Sequence, residues 1–333
     1  MGLQIGNIVP RKGIDFSELK GKKIAVDAFN TIFQFLSTIR QPDGTPLMDR
    51  QKRVTSHLSG LFYRNINLMK QGLKLIYVFD GKTPRLKGGT QEKRQEIKEK
   101  AFENYEKAVE EEDVGGMGKF SRQLSTLTPE MLEESKELLL AMGIPVVQAP
   151  GEGEAEASFL AFNKRAYAVG SQDYDSLLFS APVLIQNLTL ASKRKTPTGY
   201  VSIGPEMIEL ERVLNSLQID LDQLICLGIL CGTDYNPGGI KGIGPKKALD
   251  IVKKEKAPAL IFKQFPNIDF NWQEVFELFK RPDVRDEEIV FPKMDKEKVK
   301  KILLEHDFSE DRINSALQKL EDAKEEAKQT TLF

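Results

Sequence analysis

The chain has 333 residues, of which 40% are hydrophobic and 29% charged, and its mean hydropathy is −0.35. These values are typical of a globular protein rather than a disordered one. The longest apolar run, Leu224–Cys231, is far shorter than the roughly 20 residues of a membrane helix, and the N-terminus lacks a signal-peptide pattern. We therefore expect an intracellular protein. The 48 basic and 49 acidic side chains nearly cancel, so net charge alone identifies no partner.

Short runs rich in β-branched and aromatic residues predict strands, and helical periodicity fills the stretches between them. The predicted strands are Ile24–Val26, Leu73–Phe79, Ile144–Val147, Ala166–Val169 and Val183–Asn187. Helices are predicted at 52–70, 129–142 and 154–164. Strands that alternate with helices favour an α/β fold with a mostly parallel sheet covered on both faces.

Two stretches depart from this alternation. Residues from about 84 to 125 contain a charged, helix-like segment between glycine clusters, which is too long for an ordinary connection. This stretch predicts a functional insertion, although a solvent-exposed helical excursion is the alternative. After about residue 215, helices are predicted over Asp220–Cys231 and Pro245–Lys254, joined by a glycine-rich turn, and then over 295–328.

Carboxylates follow four of the predicted strands, close to each C-terminal end. They are Asp27, Asp80, Glu152, Glu154, Asp173 and Asp175. Because the carboxyl ends of parallel strands meet at the edge where ligands bind, we expect these six side chains to converge. Such a cluster requires cations, and ligands that are all oxygen suit Mg²⁺ or Mn²⁺.

Each carboxylate also has a structural explanation when it is considered alone. Glu152 and Glu154 favour a helix N-terminus through its dipole. Asp173 suits an N-cap with Asp175 in the first turn, and Asp27 or Asp80 suits a turn. Because carboxylates follow four strands at the same sheet edge, one shared metal site explains them better than four independent structural roles.

Other catalytic side chains are scarce. His57 and His306 are the only histidines and neither lies near these motifs, so histidine-based catalysis has no support. Cys226 and Cys231 stand in apolar surroundings and are interpreted as small core residues. No P-loop pattern is present. Hydrolysis of a phosphodiester with two metal ions, which needs no histidine, matches best.

Five stretches of the sequence resemble the structure-specific flap endonucleases of the archaeal–eukaryotic type, and the resemblance runs from Met1 to about residue 328. They are VDAFNTIFQFL (26–36), YVFDGKTPRLK (77–87), QAPGEGEAEAS (148–158), SQDYDSLLF (171–179) and LCGTDYNPGGIKGIGPKKA (230–248). The resemblance implies a PIN-like nuclease core over 1–215 with a helical arch at about 84–125. It also implies a helix-three-turn-helix duplex-binding element at 216–265, a helical region at 266–328 packed on the core, and a tail at 329–333.

The resemblance also implies a division of the carboxylates between two Mg²⁺ ions, for which Mn²⁺ can substitute, with some ligands acting through water. One ion belongs to Asp27, Asp80, Glu152 and Glu154, and the other to Asp173, Asp175 and Asp234. Glu156 falls outside the family pattern and is interpreted as a surface residue. Lys87 and Arg94 match cations at the base of the arch that grip the scissile phosphate; solvated helix charges are the alternative.

Further positions match the DNA contacts of the family. They are Gly2, Phe33, Arg40, Arg64, Gly239, Lys241, Gly242, Gly244, Lys246 and Lys247. Phe33 matches an aromatic residue that stacks on a base, with a core position as the alternative. The glycine hairpin implies close approach to phosphate and a bridging K⁺; a turn that serves packing alone is the alternative.

The implied activity is cleavage at the base of 5′ flaps in branched DNA during replication and repair, together with 5′–3′ exonuclease activity. Gln329, Leu332 and Phe333 resemble a sliding-clamp motif that stops before its aromatic pair, so clamp binding is expected to be weak. A monomer without membrane contact is expected, in the cytoplasm or nucleoid of an archaeon or in a eukaryotic nucleus. The alternatives are a bubble-cutting nuclease or 5′–3′ exonuclease of the same superfamily, a non-catalytic scaffold and a small-molecule phosphatase.

Overall fold

A computed structural model describes residues 3–41, 43–81, 104, 126–189, 193–196, 199–202 and 204–330. The predicted arch, except for Asn104, lies outside the described residues. So do five of the predicted site residues, namely Gly2, Lys87, Arg94, Leu332 and Phe333. Gln329 belongs to the last described helix.

The strands lie in a central sheet and a separate hairpin. In chain order they are β1 (Lys12–Gly13), β2 (Lys23–Asp27), β3 (Lys74–Phe79), β4 (Val146–Gln148), β5 (Ala168–Gly170), β6 (Val183–Gln186), β7 (Lys193–Thr196), β8 (Gly199–Ser202) and β9 (Glu206–Glu209). The sheet has the order β1-β9-β6-β5-β2-β3-β4, and β7 pairs with β8. The five strands from β6 to β4 are parallel, whereas β9 and β1 run antiparallel to their neighbours.

Helices cover both faces of this sheet. In chain order the described α-helices are α1 (Ala28–Thr38), α2 (Ser56–Lys70), α3 (Pro129–Ala141), α4 (Gly153–Phe162), α5 (Asp175–Leu178), α6 (Leu210–Leu217), α7 (Leu221–Cys231), α8 (Pro245–Glu255), α9 (Pro258–Lys263), α10 (Trp272–Lys280), α11 (Lys296–Leu304) and α12 (Glu310–Thr330). Within the described residues no single helix is long and apolar enough to cross a membrane; α6 and α7 together reach the required length and composition but are bent by 82°.

The alternation of side chains along the strands separates two hydrophobic cores. Ile24 and Val26 in β2 point into the core formed with α1, α2, α3, α11 and α12. Ala25 points to the opposite face, where α4 and helices α6 to α10 pack. This two-sided burial follows from the two-residue period of a strand and explains why the central strands read as continuous apolar runs.

The order of the strands places four strand ends side by side. The chain runs from β2 outward to β3 and β4, and then returns to add β5 on the other side of β2. The order of strands therefore reverses between β2 and β5, and such a reversal opens a crevice at the carboxyl ends of the strands. The ends of β4, β3, β2 and β5 all border this edge.

The predicted α/β fold with a mostly parallel sheet is confirmed, and all five predicted strands are present within two residues at each end. The strands β1, β7, β8 and β9 were not predicted, because they are short and carry polar or charged residues. The strongly helical character predicted for 295–328 is confirmed. This stretch forms two helices, α11 and α12, separated by a turn in which Asp307 has a φ of 58°.

Candidate metal centre and duplex-binding hairpin

Asp27 ends β2, Asp173 follows the adjacent strand β5, and the two are joined through one asparagine. Asp27 is only 7% exposed, and its Oδ1 accepts a hydrogen bond from the backbone N–H of Asn30 at 3.1 Å. The side-chain Nδ2 of Asn30 donates to Oδ2 of Asp173 at 2.7 Å. Asn30 therefore contacts two carboxylates that the family resemblance places on different ions.

Asp80 follows β3 and lies at the N-terminus of α4. Its Oδ1 accepts a hydrogen bond from the backbone N–H of Gly153 at 2.7 Å. A Cβ atom at Gly153 would lie 2.7 Å from the same oxygen, so only glycine permits this approach. Glu154, the next residue, accepts hydrogen bonds at Oε1 from the backbone N–H and the hydroxyl of Ser176, at 3.1 and 2.5 Å.

Glu154 lies in an acidic environment. Burial raises its pKa well above the usual range, and the neighbouring carboxylates of Asp175, Asp173 and Asp27 raise it further. Asp175 is 6% exposed and accepts a hydrogen bond at Oδ1 from the backbone N–H of Leu3 at 3.2 Å. Four of the predicted carboxylates thus repel one another in a partly buried cluster, which a bound cation would stabilise.

Glu152 is linked to the glycine-rich turn by a residue that sequence reasoning missed. The hydroxyl of Tyr235 donates a hydrogen bond to Oε2 of Glu152. Tyr235 is 5% exposed, and burial, followed by the charge of Glu152, raises the pKa of its hydroxyl far above the usual range. The preceding residue, Asp234, is half-buried at the start of the turn. The position of an aromatic residue directly beside a predicted metal ligand was the feature of the sequence that could have indicated a role for Tyr235.

The structural explanations for single carboxylates hold unevenly. Asp27 does cap α1 through its side chain. Glu152 is the N-cap residue of α4 but makes no side-chain capping bond. The N-cap residue of α5 is Tyr174 rather than Asp173, and Asp175 begins that helix. Capping therefore accounts for Asp27 but leaves the placement of Asp173 unexplained.

The donor set fits hydrated divalent cations. Among the described residues, no three His, Cys, Asp or Glu side chains are close enough together to hold an ion by themselves. Mg²⁺ retains several waters and takes only one or two protein carboxylates directly, so wider spacing is compatible with it. The oxygen-only chemistry and the mutual repulsion around Glu154 both agree with such ions.

The glycine-rich turn between α7 and α8 is held by its own polar contacts. Asn236 accepts hydrogen bonds from the N–H and hydroxyl of Thr233, at 3.2 and 2.7 Å, and donates to the carbonyl of Ile229 at 2.7 Å. A Cβ at Gly239, whose φ is 55°, would lie 2.4 Å from the carbonyl oxygen of Leu230. Packing alone therefore requires glycine at 239.

The far side of this turn faces open space. A Cβ at Gly242 or Gly244 would meet no atom within 4 Å, and Gly242 has a φ of 82°. Lys241, Lys246 and Lys247 are all exposed beside these glycines, and Gly244 is the N-cap residue of α8. Exposed backbone N–H groups at a helix N-terminus, next to lysines, suit a phosphate group.

The other predicted DNA contacts have distinct surroundings. Phe33 is 44% exposed on α1, which excludes the alternative core position. Arg40 donates to the carbonyls of Leu36 and Gly44, at 3.1 and 2.8 Å, and so stabilises the end of α1. Arg64 is half-buried on α2, and burial lowers the pKa of its guanidinium.

The interpretation of Glu156 as a surface residue is wrong. Its side chain is fully buried, and Oε2 accepts a hydrogen bond from the backbone N–H of Arg285 at 2.9 Å. The covering residues belong to a strap, residues 281–295, which joins α10 to α11. The strap also pairs Asp286 with Arg165 at 3.1 Å. Because the helix packs on the sheet on one side and under the strap on the other, Glu156 has no access to solvent.

Both histidines lie beside the same carboxylate, that of Glu134, away from the predicted motifs. His57 Nε2 lies 3.2 Å from one carboxylate oxygen of Glu134, and His306 Nε2 lies 3.4 Å from the other. The hydrogen bond from His57 is the main cause of a lowered pKa at Glu134. These contacts join α2 and α3 to the turn after α11. Cys226 is buried and Cys231 half-buried, and both are free thiols.

Comparisons with known proteins agree with this architecture. A model of the XPG N-terminal domain matches residues 5–101, and a model of the XPG I-region matches residues 143–234. Flap endonuclease 1 of Thermococcus onnurineus and that of Pyrococcus furiosus are each 51% identical to the chain, over 100% of it and 98% of the relative. The chain belongs to the flap endonuclease 1 family. A solved flap endonuclease 1 from Methanococcus jannaschii matches with a TM-score of 0.76 and 41% identity, covering 97% of this chain and 98% of that one.

Membership of the flap endonuclease 1 family establishes the general activity. The chain is a structure-specific 5′ flap endonuclease of DNA replication and repair, and therefore a DNA-binding hydrolase of a metal-dependent nuclease family. The resemblance inferred from the five sequence stretches and the PIN-like α/β fold are thereby confirmed.

Proposed function

We propose that this flap endonuclease hydrolyses one phosphodiester at the base of a 5′ flap with two Mg²⁺ ions, and that Mn²⁺ can replace them. The supporting observation is the partly buried cluster in which burial, followed by the charges of three neighbouring carboxylates, raises the pKa of Glu154. The proposed ligands of the first ion are Asp27, Asp80, Glu152 and Glu154, and those of the second are Asp173, Asp175 and Asp234. Some of these ligands act through water.

The chain's own groups orient this ligand set. Asn30 holds Asp173, the backbone N–H of Gly153 holds Asp80, and Ser176 holds Glu154. When bound, the two cations activate a water and stabilise charge on the attacking and leaving oxygens. Fixed carboxylates reduce the reorganisation required during the reaction. Lys87 and Arg94 are proposed to hold the scissile phosphate, which the carboxylates would otherwise repel.

The glycine-rich turn between α7 and α8, called the hairpin from here on, is proposed to bind the uncut duplex. Gly239, Gly242 and Gly244 shape it and would hold a K⁺ ion, which would supply positive charge for a phosphate, and three exposed lysines add affinity that does not depend on sequence. Those lysines are Lys241, Lys246 and Lys247. The exposed ring of Phe33 is proposed to stack on a base near the reacting phosphate. Gly2, Arg40 and Arg64 are the remaining proposed DNA contacts.

We also propose that the enzyme has 5′–3′ exonuclease activity. It is proposed to act as a monomer on Okazaki fragments and in long-patch base excision repair. The proposed partner is a sliding clamp, bound weakly through Gln329, Leu332 and Phe333. Loss of clamp-stimulated cleavage in a Leu332→Ala, Phe333→Ala double variant would support this contact, and unchanged stimulation would contradict it.

The test compares wild type with Asp173→Ala on flap, nicked, gapped and bubble DNA in Mg²⁺. We expect wild type to cut the flap preferentially, and the variant to bind the same DNA without cutting it. Asp269→Ala, a change at an exposed aspartate, is the matched control and should cut normally. Cleavage by Asp173→Ala at the wild-type rate would contradict the metal assignment. Equal cutting of the bubble would favour the bubble-cutting alternative.

A further inference from the structure

Tyr235 connects two parts of the molecule that the proposed function treats separately. Its hydroxyl donates to Oε2 of Glu152, a proposed metal ligand at the start of α4. Its backbone belongs to the turn that carries the duplex-binding hairpin. The position of this ligand therefore depends in part on a residue outside the sheet.

The ring of Tyr235 is held in one place by aromatic packing. It meets Phe279 of α10 edge-on, with ring centroids 5.3 Å apart and planes at 81°. Phe279 in turn packs on Phe179, which directly follows α5, with ring centroids 4.8 Å apart. Aromatic pairs of this geometry restrict ring orientation. The hydroxyl is therefore directed at Glu152 by a packed core rather than by chance rotation.

Hydrogen bonds join the backbone around Tyr235 to the hairpin. Its N–H donates to the hydroxyl of Thr233 at 3.2 Å, and Thr233 and Asn236 are linked through the Asn236 side chain. Further along, Gly239 packs against the end of α7 so closely that no side chain fits. A displacement of the hairpin therefore displaces Tyr235, and with it the donor to Glu152.

We propose that Tyr235 is a positioning residue that orients Glu152 for a divalent cation and makes this orientation depend on the hairpin. The inference rests on the proposed function, since it requires a cation at the carboxylates and a duplex at the hairpin. Linkage then requires reciprocity. A duplex on the hairpin strengthens cation binding, and the cation strengthens duplex binding by the same factor.

The test measures Mn²⁺ binding directly, without DNA, by isothermal titration calorimetry and by the electron paramagnetic resonance signal of free Mn²⁺. Tyr235→Phe keeps the ring but removes the donor, and we expect Mn²⁺ affinity to fall by about 10- to 100-fold, the usual effect of removing a partner of a metal ligand. Duplex affinity in EDTA should stay within about twofold of wild type. Unchanged Mn²⁺ affinity would overturn the inference.

Tyr77→Phe is the matched control for loss of a buried hydroxyl. Tyr77 is fully buried in β3 and donates to Oδ1 of Asn65 at 2.9 Å, in the opposite core. We expect this variant to lose stability on heating and to keep its Mn²⁺ affinity. An equal loss of Mn²⁺ affinity in both variants would mean that weakened packing causes it, and the inference would fail.

A double-mutant cycle tests whether Tyr235 acts through Glu152. In a Glu152→Gln background, Tyr235→Phe should cause no further loss of Mn²⁺ affinity, because the carboxylate that it orients is already gone. A full additional loss would show that Tyr235 affects Mn²⁺ affinity without acting through Glu152, and it would overturn the inference. The Asp173→Ala variant tests the proposed metal centre separately from the role of Tyr235. If this variant keeps wild-type Mn²⁺ affinity, the proposed metal centre itself is wrong.

The coupling is measured with a closed dumbbell duplex, which has no 5′ end to cut. Mn²⁺ should tighten dumbbell binding by wild type, and the dumbbell should tighten Mn²⁺ binding by the same factor. In Tyr235→Phe this factor should approach one. If wild type shows no such factor, or if the variant keeps it, Tyr235 does not couple the two sites.

Discussion

The buried carboxylate of Glu156 makes stability depend on pH. Burial raises its pKa from 4.5 to about 6, with the charge of Glu287 adding to the effect and the hydrogen bond from Arg285 opposing it. Its Oε1 atom has no hydrogen-bond partner among the described residues. Folding therefore favours the protonated form of this side chain.

The direction of the effect follows from linkage. Below about pH 4.5 both the folded and the unfolded chain hold the proton, and the contribution of Glu156 to stability is fully present. Between about pH 4.5 and 6 the unfolded chain releases it first, so this contribution is lost as the pH rises. A difference of about 1.5 in pKa corresponds to about 2 kcal/mol of unfolding free energy.

Glu156→Gln removes this titration while its amide oxygen can still accept from Arg285. We expect the free energy of unfolding of wild type to fall by about 2 kcal/mol relative to the variant between pH 4 and pH 7. The amide nitrogen placed in the Oε1 position costs stability at every pH, so only the change with pH is diagnostic. Guanidinium unfolding in EDTA, repeated across this range, measures it.

The matched control is Glu211→Gln, a change at an exposed carboxylate on α6. Its difference from wild type should stay constant with pH. If the profiles of Glu156→Gln and wild type were also parallel, Glu156 would titrate alike in both states, and the argument from burial would be refuted.

Three further predictions concern packing, the histidine cluster and the hairpin. Gly81→Ala would place a Cβ 2.1 Å from the carbonyl oxygen of Ala149, so we expect a loss of about 1–3 kcal/mol in thermal unfolding; an unchanged melting temperature would contradict this close approach. Glu134→Ala removes the acceptor shared by both histidines and should cost about 1–3 kcal/mol, measured by chemical unfolding at pH 7.5, whereas no loss would show that the cluster contributes nothing. Changing Lys246 and Lys247 together to Ala should reduce the slope of log affinity against log salt by about 2 on non-cleavable duplex, and an identical slope would exclude both as phosphate contacts.

The sequence predicted the parts of the site that depend on local pattern. Asp27 and Asp80 each follow an apolar strand, and parallel strands leave few ways to arrange their ends. The strand order that brings β5 beside β2 is tertiary information, yet the general behaviour of parallel sheets anticipated its effect on Asp173.

What the sequence did not predict depends on distant segments of the chain. Glu156 belongs to a helix whose outer face is covered by a strap more than 120 residues later, and helical periodicity cannot show this. Tyr235 reads as part of a polar glycine turn, although its ring is buried against α10. His57 and His306 are separated by most of the chain, so only folding shows that they share Glu134.

The strap over α4 has a consequence for synthesis of the protein on the ribosome. The helix that carries Glu152 and Glu154 is made first, whereas the backbone N–H that binds Glu156 belongs to Arg285. At roughly 5–20 residues per second, the ribosome adds the strap on the order of 10 s after the helix. Until then Glu156 lacks the hydrogen bond from Arg285. The helix that carries these two carboxylates is therefore fully covered only after the strap has been made, so a nascent chain that stops before residue 281 leaves the outer face of this helix without its cover.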